Sequence, residues 1–412
     1  MRVCVVGSGG REHALADVLG RTADVVVTPG NPGIAGSMAT PPEAIEADLF
    51  VVGPEAPLVD GLADRLRAAG RLVFGPGAGG ARLEGSKAWM KDLLAAAAVP
   101  TARHGAFADE AAAVVFLRSL AGPWVVKTDG LAAGKGVLVT ESLDEAVEDV
   151  RTKLAGEAFG AAGRTVVIEE GLYGPELSVL AICDGTRAVP LAPAQDFKRV
   201  GDGDTGPNTG GMGAYSPVPF AGDEVVGTVM DRFVEPTLAE LRRRGIDYRG
   251  VLYAGLMLTP EGPKLLEYNV RFGDPEAQVV LPRLSTDLAE LLSAAAAGDL
   301  RRVPAPDFAD DSCVTVVLAA EGYPTKPRTG DVIEGIAAAE DRGAMVFHAG
   351  VGRDDEGRLV TAGGRVLAVT GTGSTIAAAR EHAYAAAGEI SWPGMHHRSD
   401  IALRSSSEAP IA

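Results

Sequence analysis

The first 77 residues alternate short apolar runs with amphipathic segments, and this alternation narrows the range of possible folds. Strands that alternate with helices predict a parallel sheet, whose ligands bind beyond the carboxyl ends of the strands. The predicted strands are Arg2–Val6, Asp24–Thr28, Leu49–Val52 and Leu72–Phe74. Each runs into a loop that contains glycine or proline: Gly7–Arg11, Pro29–Asn31, Gly53–Pro57 and Gly75–Gly77. We therefore expect these loops at one edge of the sheet.

The first loop has the form of an anion site at the start of a helix. Backbone N–H groups of the glycine turn would point at an anion, and Arg11 adds a positive charge. A dinucleotide fingerprint requires glycine where this chain has Glu12, and the second strand ends in Thr28-Pro29 rather than in an acid. The loop therefore favours a phosphate monoester over a dinucleotide.

A second candidate phosphate site is the glycine-rich turn in Pro123–Gly136, between two predicted strands. Such a turn exposes backbone N–H groups that wrap polyphosphate, and Lys127 and Lys135 add positive charge. It is not a Walker A loop, because three residues separate Gly130 from Gly134 and a glycine follows the lysine. A surface hairpin with two solvated lysines is the alternative interpretation.

The run Lys264–Glu276 places polar side chains on one face of a predicted strand. In an extended chain Glu267, Asn269 and Arg271 point the same way, opposite to an apolar face. This row suits Mg²⁺ beside an anion, since Mg²⁺ takes one or two carboxylates plus phosphate oxygens. A solvent-exposed polar face on an edge strand is the alternative.

Residues 191–217 combine glycine with aromatic and charged residues and show little apolar periodicity. A loop of this length inside a compact domain is usually functional or disordered. We interpret it as a lid. The polar tail 405–412 is expected to be disordered.

Composition limits the partners of the chain. Its 412 residues include 38 Lys and Arg against 55 Asp and Glu, and this formal charge of −17 argues against nucleic acid or an anionic membrane as a partner. The isolated Cys4, Cys183 and Cys313 lie in apolar runs and are expected to be buried in a reducing compartment. We see no signal peptide or membrane-length apolar run and expect a cytoplasmic protein.

Five motifs together resemble the phosphoribosylamine–glycine ligase family, also called glycinamide ribonucleotide synthetases, of the ATP-grasp superfamily. They are GSGGREHA (7–14), GPEAPLVDG (53–61), KTDGLAAGKG (127–136), DTGPNTGGMGAYSP (204–217) and LEYNVRFGDPE (266–276). The similarity runs from residue 1 to about residue 404 in the expected order.

The resemblance implies a monomeric, multidomain protein of the α/β and α+β classes with an ATP-grasp fold. Residues 1–98 would form an N-terminal parallel α/β (pre-ATP-grasp) domain, and 305–404 a small C-terminal α/β domain. Between them, 99–304 would form the two-subdomain ATP-grasp domain, with a mobile nucleotide-lid subdomain at about 122–190.

The resemblance also implies the reaction. The family joins glycine to 5-phosphoribosylamine in the second step of de novo purine synthesis, with ATP cleaved to ADP and phosphate. Glycine's carboxylate attacks the γ-phosphate of ATP, and the sugar amine displaces phosphate from the glycyl phosphate formed. Mg²⁺ or Mn²⁺ assists, and no nucleophilic Ser, Cys or His is required.

Residue roles follow by matching motifs. ATP would be held by Lys87, Lys127, Gly134, Lys135, Gly136, Glu169, Glu170, Leu172 and Glu176; the segment 169–172 would bind adenine through backbone groups, and Glu176 the ribose. The metal ligands would be Glu267 and Asn269. The residues at the reacting centre would be Lys127, Asp196, Lys198 and Arg271. The substrates would contact Gly9, Gly10, Arg11, Asn31, Pro54, Glu55, Asp196, Lys198, Gly210, Gly211, Arg271 and Asp274.

Three features depart from the family pattern. The strand Tyr253–Met257 lacks the additional metal-binding acid that many ATP-grasp enzymes carry there. Phe197 replaces a histidine found in many members, which calls into question a proton-transfer role at that position. The segment 32–48 is shorter than the usual crossover, and we expect a less stable N-terminal domain or a reshaped sugar-phosphate pocket.

Three other functions remain open. Another carboxylate–amine ligase or a carboxylase of the superfamily would share Lys127, Glu267 and Asn269. An oxidoreductase would fit the first strand–glycine–helix unit, but Glu12 argues against it. A catalytically inactive nucleotide-binding regulator would not require the intact row of Glu267, Asn269 and Arg271.

Overall fold

The structure is a computed structural model that describes residues 1–131, 136–156 and 164–405. Apart from Ser405, the predicted tail therefore lies outside the described residues. The three cysteines are free and buried, as predicted. No helix in the described ranges combines the length and the apolar character that a membrane span requires.

A parallel four-stranded sheet forms the N-terminal region and confirms the predicted class. Its strands are β1 (Arg2–Gly7), β2 (Asp24–Pro29), β3 (Leu49–Val52) and β4 (Val73–Phe74), in the spatial order β2-β1-β3-β4. Its helices are α1 (Gly10–Leu19), α2 (Glu55–Val59), α3 (Leu62–Ala68), α4 (Ala78–Gly85) and α5 (Lys87–Ala96). Successive residues of β1 enter different cores, because Val5 packs in the cluster of Leu15 and Val6 in that of Leu62.

The connection from β2 to β3 crosses the sheet without an α-helix. Residues 30–48 contain one 3₁₀ turn, Pro42–Ala44, and bury Ile34 and Ile45 against the sheet. This is the segment that the family resemblance marked as short.

Two helices, rather than one continuous helix, cover residues 78–96. α4 ends at Gly85, and Ser86 adopts an extended conformation. Oγ of Ser86 accepts a hydrogen bond from N–H of Trp89 at 3.2 Å and so caps α5. Lys87 is the first residue of α5, and its Nζ donates to the carbonyl oxygen of Gly130 at 3.0 Å.

Two antiparallel sheets form the central region. The first has the order β5-β8-β6-β7 and contains β5 (His104–Phe107), β6 (Trp124–Thr128), β7 (Val137–Thr140) and β8 (Val166–Glu170), with α6 (Glu110–Arg118) and α7 (Leu143–Leu154). The second has the order β10-β9-β15-β16 and contains β9 (Glu176–Asp184), β10 (Ala188–Pro190), β15 (Arg249–Thr259) and β16 (Gly262–Asn269). Its helices are α8 (Asp223–Val229), α9 (Glu235–Arg243), α10 (Ala277–Val280) and α11 (Leu288–Ala297). Residues 171–175 join the two sheets.

The segment 191–217 is not the irregular loop that we expected. It forms β11 (Gln195–Asp196), β12 (Arg199–Gly201), β13 (Thr205–Asn208) and β14 (Gly213–Ser216). β11 and β14 join a C-terminal sheet of order β11-β14-β17-β21-β18, with β17 (Ser312–Ala319), β18 (Met345–His348) and β21 (Arg365–Gly373). The remaining C-terminal elements are β19 (Val351–Arg353), β20 (Leu359–Thr361), α12 (Ile336–Asp341) and α13 (Ile376–Ala387). The four-residue strand β14 pairs with β17, about 100 residues away, so local periodicity does not reveal it.

Two histidines, the half-buried His13 and the buried His348, connect the N-terminal and C-terminal regions. N–H of His348, on β18, donates to Nδ1 of His13, on α1, at 2.8 Å, and the ring centroids are 5.2 Å apart. Burial lowers the pKa of each imidazole from 6.5 to about 4, and His348 lowers that of His13 further.

We expect these imidazoles to make the folded protein sensitive to acid. Since each folded-state pKa lies below the unfolded value, the unfolded chain binds more protons between pH 6.5 and about 4, and stability falls as the pH falls through this window. His348→Gln should weaken this pH dependence in urea unfolding, whereas His104→Gln, at a half-buried position, should not. An equal pH dependence in His348→Gln and the wild type would contradict the expectation.

Candidate active site

One carboxylate lies where several cations meet. Glu267 is on β16, and Asn269 faces the same side of that strand. Burial alone would raise the pKa of Glu267, yet this pKa is lowered because cations from four segments surround the carboxylate. They are Lys198, Lys127, Lys87 and Arg271. The fold thus brings together residues predicted for the phosphate, metal and substrate sites.

Glu267 and Asn269 fit a magnesium ion that is shared with phosphate. Within the described residues, no hydrogen bond or ion pair engages the Glu267 carboxylate, and no group of three or more His, Cys, Asp or Glu forms a metal cluster. One carboxylate and one amide oxygen, completed by phosphate oxygens and water, match the preference of Mg²⁺.

A buried ion triad holds Lys127 of β6, which was predicted to bind phosphate. The Glu169 carboxylate, 2% exposed, lies 2.9 Å from Nζ of Lys127 and 3.1 Å from Nζ of Lys91. Nζ of Lys91 also donates to Oγ1 of Thr101 at 2.7 Å. Lys91 was not predicted as a site residue, although its i, i+4 spacing from Lys87 places both on one helix face.

The segment 169–172, which was predicted to bind adenine, lies partly within a strand. Glu169 and Glu170 complete β8, so the connector to β9 starts at Gly171 and contains Leu172, which is half-buried. The Glu170 carboxylate accepts a hydrogen bond from N–H of Arg103 at 2.9 Å.

A second group of charges lies beside β9. Nζ of Lys198 contacts the Glu176 carboxylate and lies 3.3 Å from Oδ1 of Asp196. Burial raises the pKa of Asp196 to about 7 even though Lys198 opposes the rise. The pKa of Lys198 is raised despite its burial, because Asp196 and Glu176 stabilise its charge. The predicted ribose ligand Glu176 and the predicted reacting-centre residues are therefore in direct contact.

Two carboxylates hold Arg271 in the site. Its guanidinium lies 3.0 Å from Oε1 of Glu84 and 3.4 Å from Oε2 of Glu55. Burial raises the pKa of Glu84, and Arg271 opposes the rise. Glu55 was predicted for the substrate site, whereas Glu84 carried no sequence signal, because it lies at the end of α4 and outside every motif.

The glycines of the first loop make room for an acid of the chain itself. The Glu12 carboxylate, 2% exposed, accepts hydrogen bonds from N–H of Gly9 at 2.6 Å and from Nε of Arg11 at 2.5 Å. A Cβ on Gly53 would lie 2.0 Å from Oε1 of Glu12, and one on Gly7 would lie 2.5 Å from its side chain. The loop therefore binds a carboxylate at the helix start, and the N–H of Gly9 is already engaged.

The other predicted substrate residues of this region also have protein partners. Nδ2 of Asn31 donates to the carbonyl oxygens of Ser8 at 2.8 Å and of His348 at 3.1 Å. Nη1 of Arg11 donates to the carbonyl oxygen of Phe272 at 3.2 Å. These contacts fix the N-terminal loops against the central and C-terminal regions.

The glycine turn between β6 and β7 is described only in part. Gly134 and Lys135 lie outside the described residues. The carbonyl oxygen of Gly136 accepts a hydrogen bond from N–H of Thr128 at 2.9 Å, and Nζ of Lys87 donates to the carbonyl oxygen of Gly130 at 3.0 Å.

Comparisons with known proteins agree with this arrangement. Family models of phosphoribosylglycinamide synthetase match in three consecutive parts: the N domain at residues 1–84, the ATP-grasp (A) domain at 85–277 and the C domain at 313–404. The chain belongs to the phosphoribosylglycinamide synthetase family. This membership and the ATP-grasp match confirm the predicted family and fold class.

Individual relatives cover nearly the whole chain. A phosphoribosylamine–glycine ligase of Brucella melitensis is 48% identical over 421 aligned positions, which cover 98% of each chain. One of Streptomyces coelicolor is also 48% identical and covers 98% of this chain and 99% of its own. The crystal structure of the Thermotoga maritima phosphoribosylamine–glycine ligase superposes with a TM-score of 0.87 at 36% identity, over 97% of this chain and all of that one.

The structure shows what surrounds two of the positions that depart from the family pattern. Gly255 of β15 pairs with Glu267 of β16, so an additional acid at position 255 would lie beside the predicted metal ligand. Phe197 lies between Asp196 and Lys198 in sequence, and its ring has the Arg398 guanidinium 5.1 Å from its centroid. Position 197 therefore packs against the C-terminal segment.

We expect Glu169→Gln to destabilise the protein strongly. It leaves Lys91 and Lys127 without the carboxylate that contacts both of them, and breaking a buried pair in this way costs about 3–5 kcal/mol. The free energy of unfolding in guanidinium chloride measures this cost. The neighbouring Glu170→Gln, at a more exposed position, is the control, and equal losses in both variants would contradict the role of the triad.

Proposed function

We propose that the chain joins glycine to 5-phosphoribosylamine, with ATP cleaved to ADP and phosphate, and forms glycinamide ribonucleotide through glycyl phosphate. The relatives in its family carry the name of this activity. The observation that carries the proposal is the set of four cations around Glu267, since transfer of a phosphoryl group requires neutralised phosphate charge. The chain is an ATP-dependent ligase.

ATP binds in this proposal between the two central sheets. Lys87, Lys127 and Lys135 neutralise the phosphates, and the turn with Gly134 and Gly136 wraps them. The segment with Glu169, Glu170 and Leu172 binds adenine through backbone groups. Oε1 of Glu176 binds the ribose, while its Oε2 contacts Lys198. Mg²⁺ or Mn²⁺, when bound, would neutralise phosphate oxygens, and Glu267 and Asn269 would hold it.

The first chemical step forms a carboxyl–phosphate bond. An oxygen of glycine's carboxylate attacks the γ-phosphorus, and ADP leaves with the electrons of the bond that breaks. Arg271, Lys127 and Lys198 stabilise the charge on the transferring group. Asp196 fixes the position of Lys198 through their 3.3 Å contact.

The second step forms the amide. The amine of phosphoribosylamine attacks the acyl carbon of glycyl phosphate, loses a proton and displaces phosphate. Gly9, Gly10, Arg11, Asn31, Pro54 and Glu55 hold the sugar phosphate in this proposal, and Gly210, Gly211 and Asp274 enclose glycine. The segment 196–216 limits the access of water to an intermediate that hydrolyses readily. We further propose a cytoplasmic monomer without nucleic acid or membrane partners, in keeping with the charge of −17.

An assay with omitted components tests the activity. ADP release is measured with Mg²⁺-ATP, glycine, and phosphoribosylamine generated from ribose 5-phosphate and ammonia. We expect release to require both glycine and the sugar amine. Release that is indifferent to glycine would contradict the proposal and indicate another ATP-grasp substrate pair.

A pair of variants tests the role of Glu267. Glu267→Ala should lower kcat/KM by about 100- to 1,000-fold, the scale for loss of one electrostatic group in a preorganised site. Glu261→Ala removes an exposed carboxylate of the same hairpin that forms an ion pair with Lys264, and it should retain activity. Near-normal kcat/KM in Glu267→Ala would exclude the metal-ligand role.

A further inference from the structure

Arg365, at the start of β21 in the C-terminal region, reaches two of the predicted substrate segments. Its Nη1 donates to the carbonyl oxygens of Gly210 at 2.6 Å and of Asp274 at 2.8 Å. Its Nη2 lies 3.0 Å from Oδ2 of Asp274. One guanidinium therefore connects the loop before β14 to the turn after β16.

The close packing around this contact leaves no room for side chains on the two glycines of that loop. A Cβ on Gly210 would lie 2.9 Å from Cζ of Arg365, and the N–H of Gly210 donates to the hydroxyl of Tyr323 at 3.0 Å. Gly211 has a φ of +107°, and a Cβ there would lie 2.5 Å from Pro275. The glycine pair thus permits close packing against the C-terminal region, and the backbone N–H of Gly210 is engaged within the protein.

Asp274 lies where all three regions meet. Burial would raise its pKa, but the pKa is lowered because Arg365, Arg11 and Arg271 stabilise the charge. Its carboxylate also accepts a hydrogen bond from Nε2 of Gln278 at 2.7 Å. Arg11 belongs to the N-terminal region and Arg271 to the central region, so Arg365 supplies the C-terminal share of this charge cluster.

We propose that Arg365 is a positioning residue that holds Asp274 and the Gly210–Gly211 loop in the geometry that binds glycine and the sugar amine. The inference rests on the proposed function. The C-terminal region then completes the substrate side of the active site, while the phosphate side, around Lys127 and Lys87, has no contact with Arg365 among the described residues.

The test is a comparison of KM values in Arg365→Gln and the wild type. We expect the KM for glycine and for phosphoribosylamine to rise about 10- to 100-fold, the factor that corresponds to losing hydrogen bonds to a charged group, with the KM for ATP unchanged. Arg365→Lys keeps the charge but loses the planar fork and should give an intermediate rise. Arg358→Gln, an exposed arginine of the same region paired with Asp354, should match the wild type.

The outcomes separate the two proposals. If the wild type and Arg358→Gln require glycine and the amine but Arg365→Gln has normal KM values, only the inference on Arg365 fails. If all three KM values rise together with a lower unfolding midpoint, the role is merely structural and the inference fails. Should Arg365→Gln not fold, Arg365→Lys takes its place, and unchanged KM values for glycine and phosphoribosylamine in that variant would also overturn the inference.

Discussion

The site depends on keeping the half-buried Glu267 carboxylate ionised, and on the charge balance that makes this possible. The chain has an excess of acids, yet four cations converge on this one carboxylate. Three of these cations also form an ion pair with a second carboxylate. The pairs are Lys127 with Glu169, Lys198 with Glu176 and Arg271 with Glu84. Buried charges are tolerated only when paired in this way. The cations are therefore already fixed in place before a polyphosphate arrives.

Much of the N-terminal fold was predictable because its determinants are local. Apolar runs and intervening helices identify a parallel sheet without knowledge of distant contacts. What the glycines accommodate was not predictable, because the acid involved, Glu12, comes close to Gly53 only in the folded chain. The same loop pattern is compatible with a bound phosphate or with an internal carboxylate, and the sequence does not distinguish between them.

The strands in segment 191–217 were not predictable from local sequence. Strand β14 is four residues long and pairs with β17, so Gly213 lies opposite Val316. No periodicity within such a short strand reveals a partner this distant, and the glycines suggested a loop instead. Arg365 was not predicted as a site residue for the same reason. Gly210 and Asp274, which it contacts, lie 155 and 91 positions before it in the sequence. Lys91 was closer to prediction, because its helical spacing from Lys87 was visible.

The fold shows that the side chain at position 197 points away from the charged residues beside it. Successive side chains along an extended segment point to opposite sides, so Asp196 and Lys198 face Glu176 while Phe197 faces away. Its ring packs near Tyr215 and beneath Arg398, and that arginine binds Asp204 and Asp400. A proton donor at position 197 would therefore point toward this packed layer rather than toward the reacting centre. Phenylalanine at this position packs against the C-terminal segment, and it leaves the charged face of Asp196 and Lys198 intact.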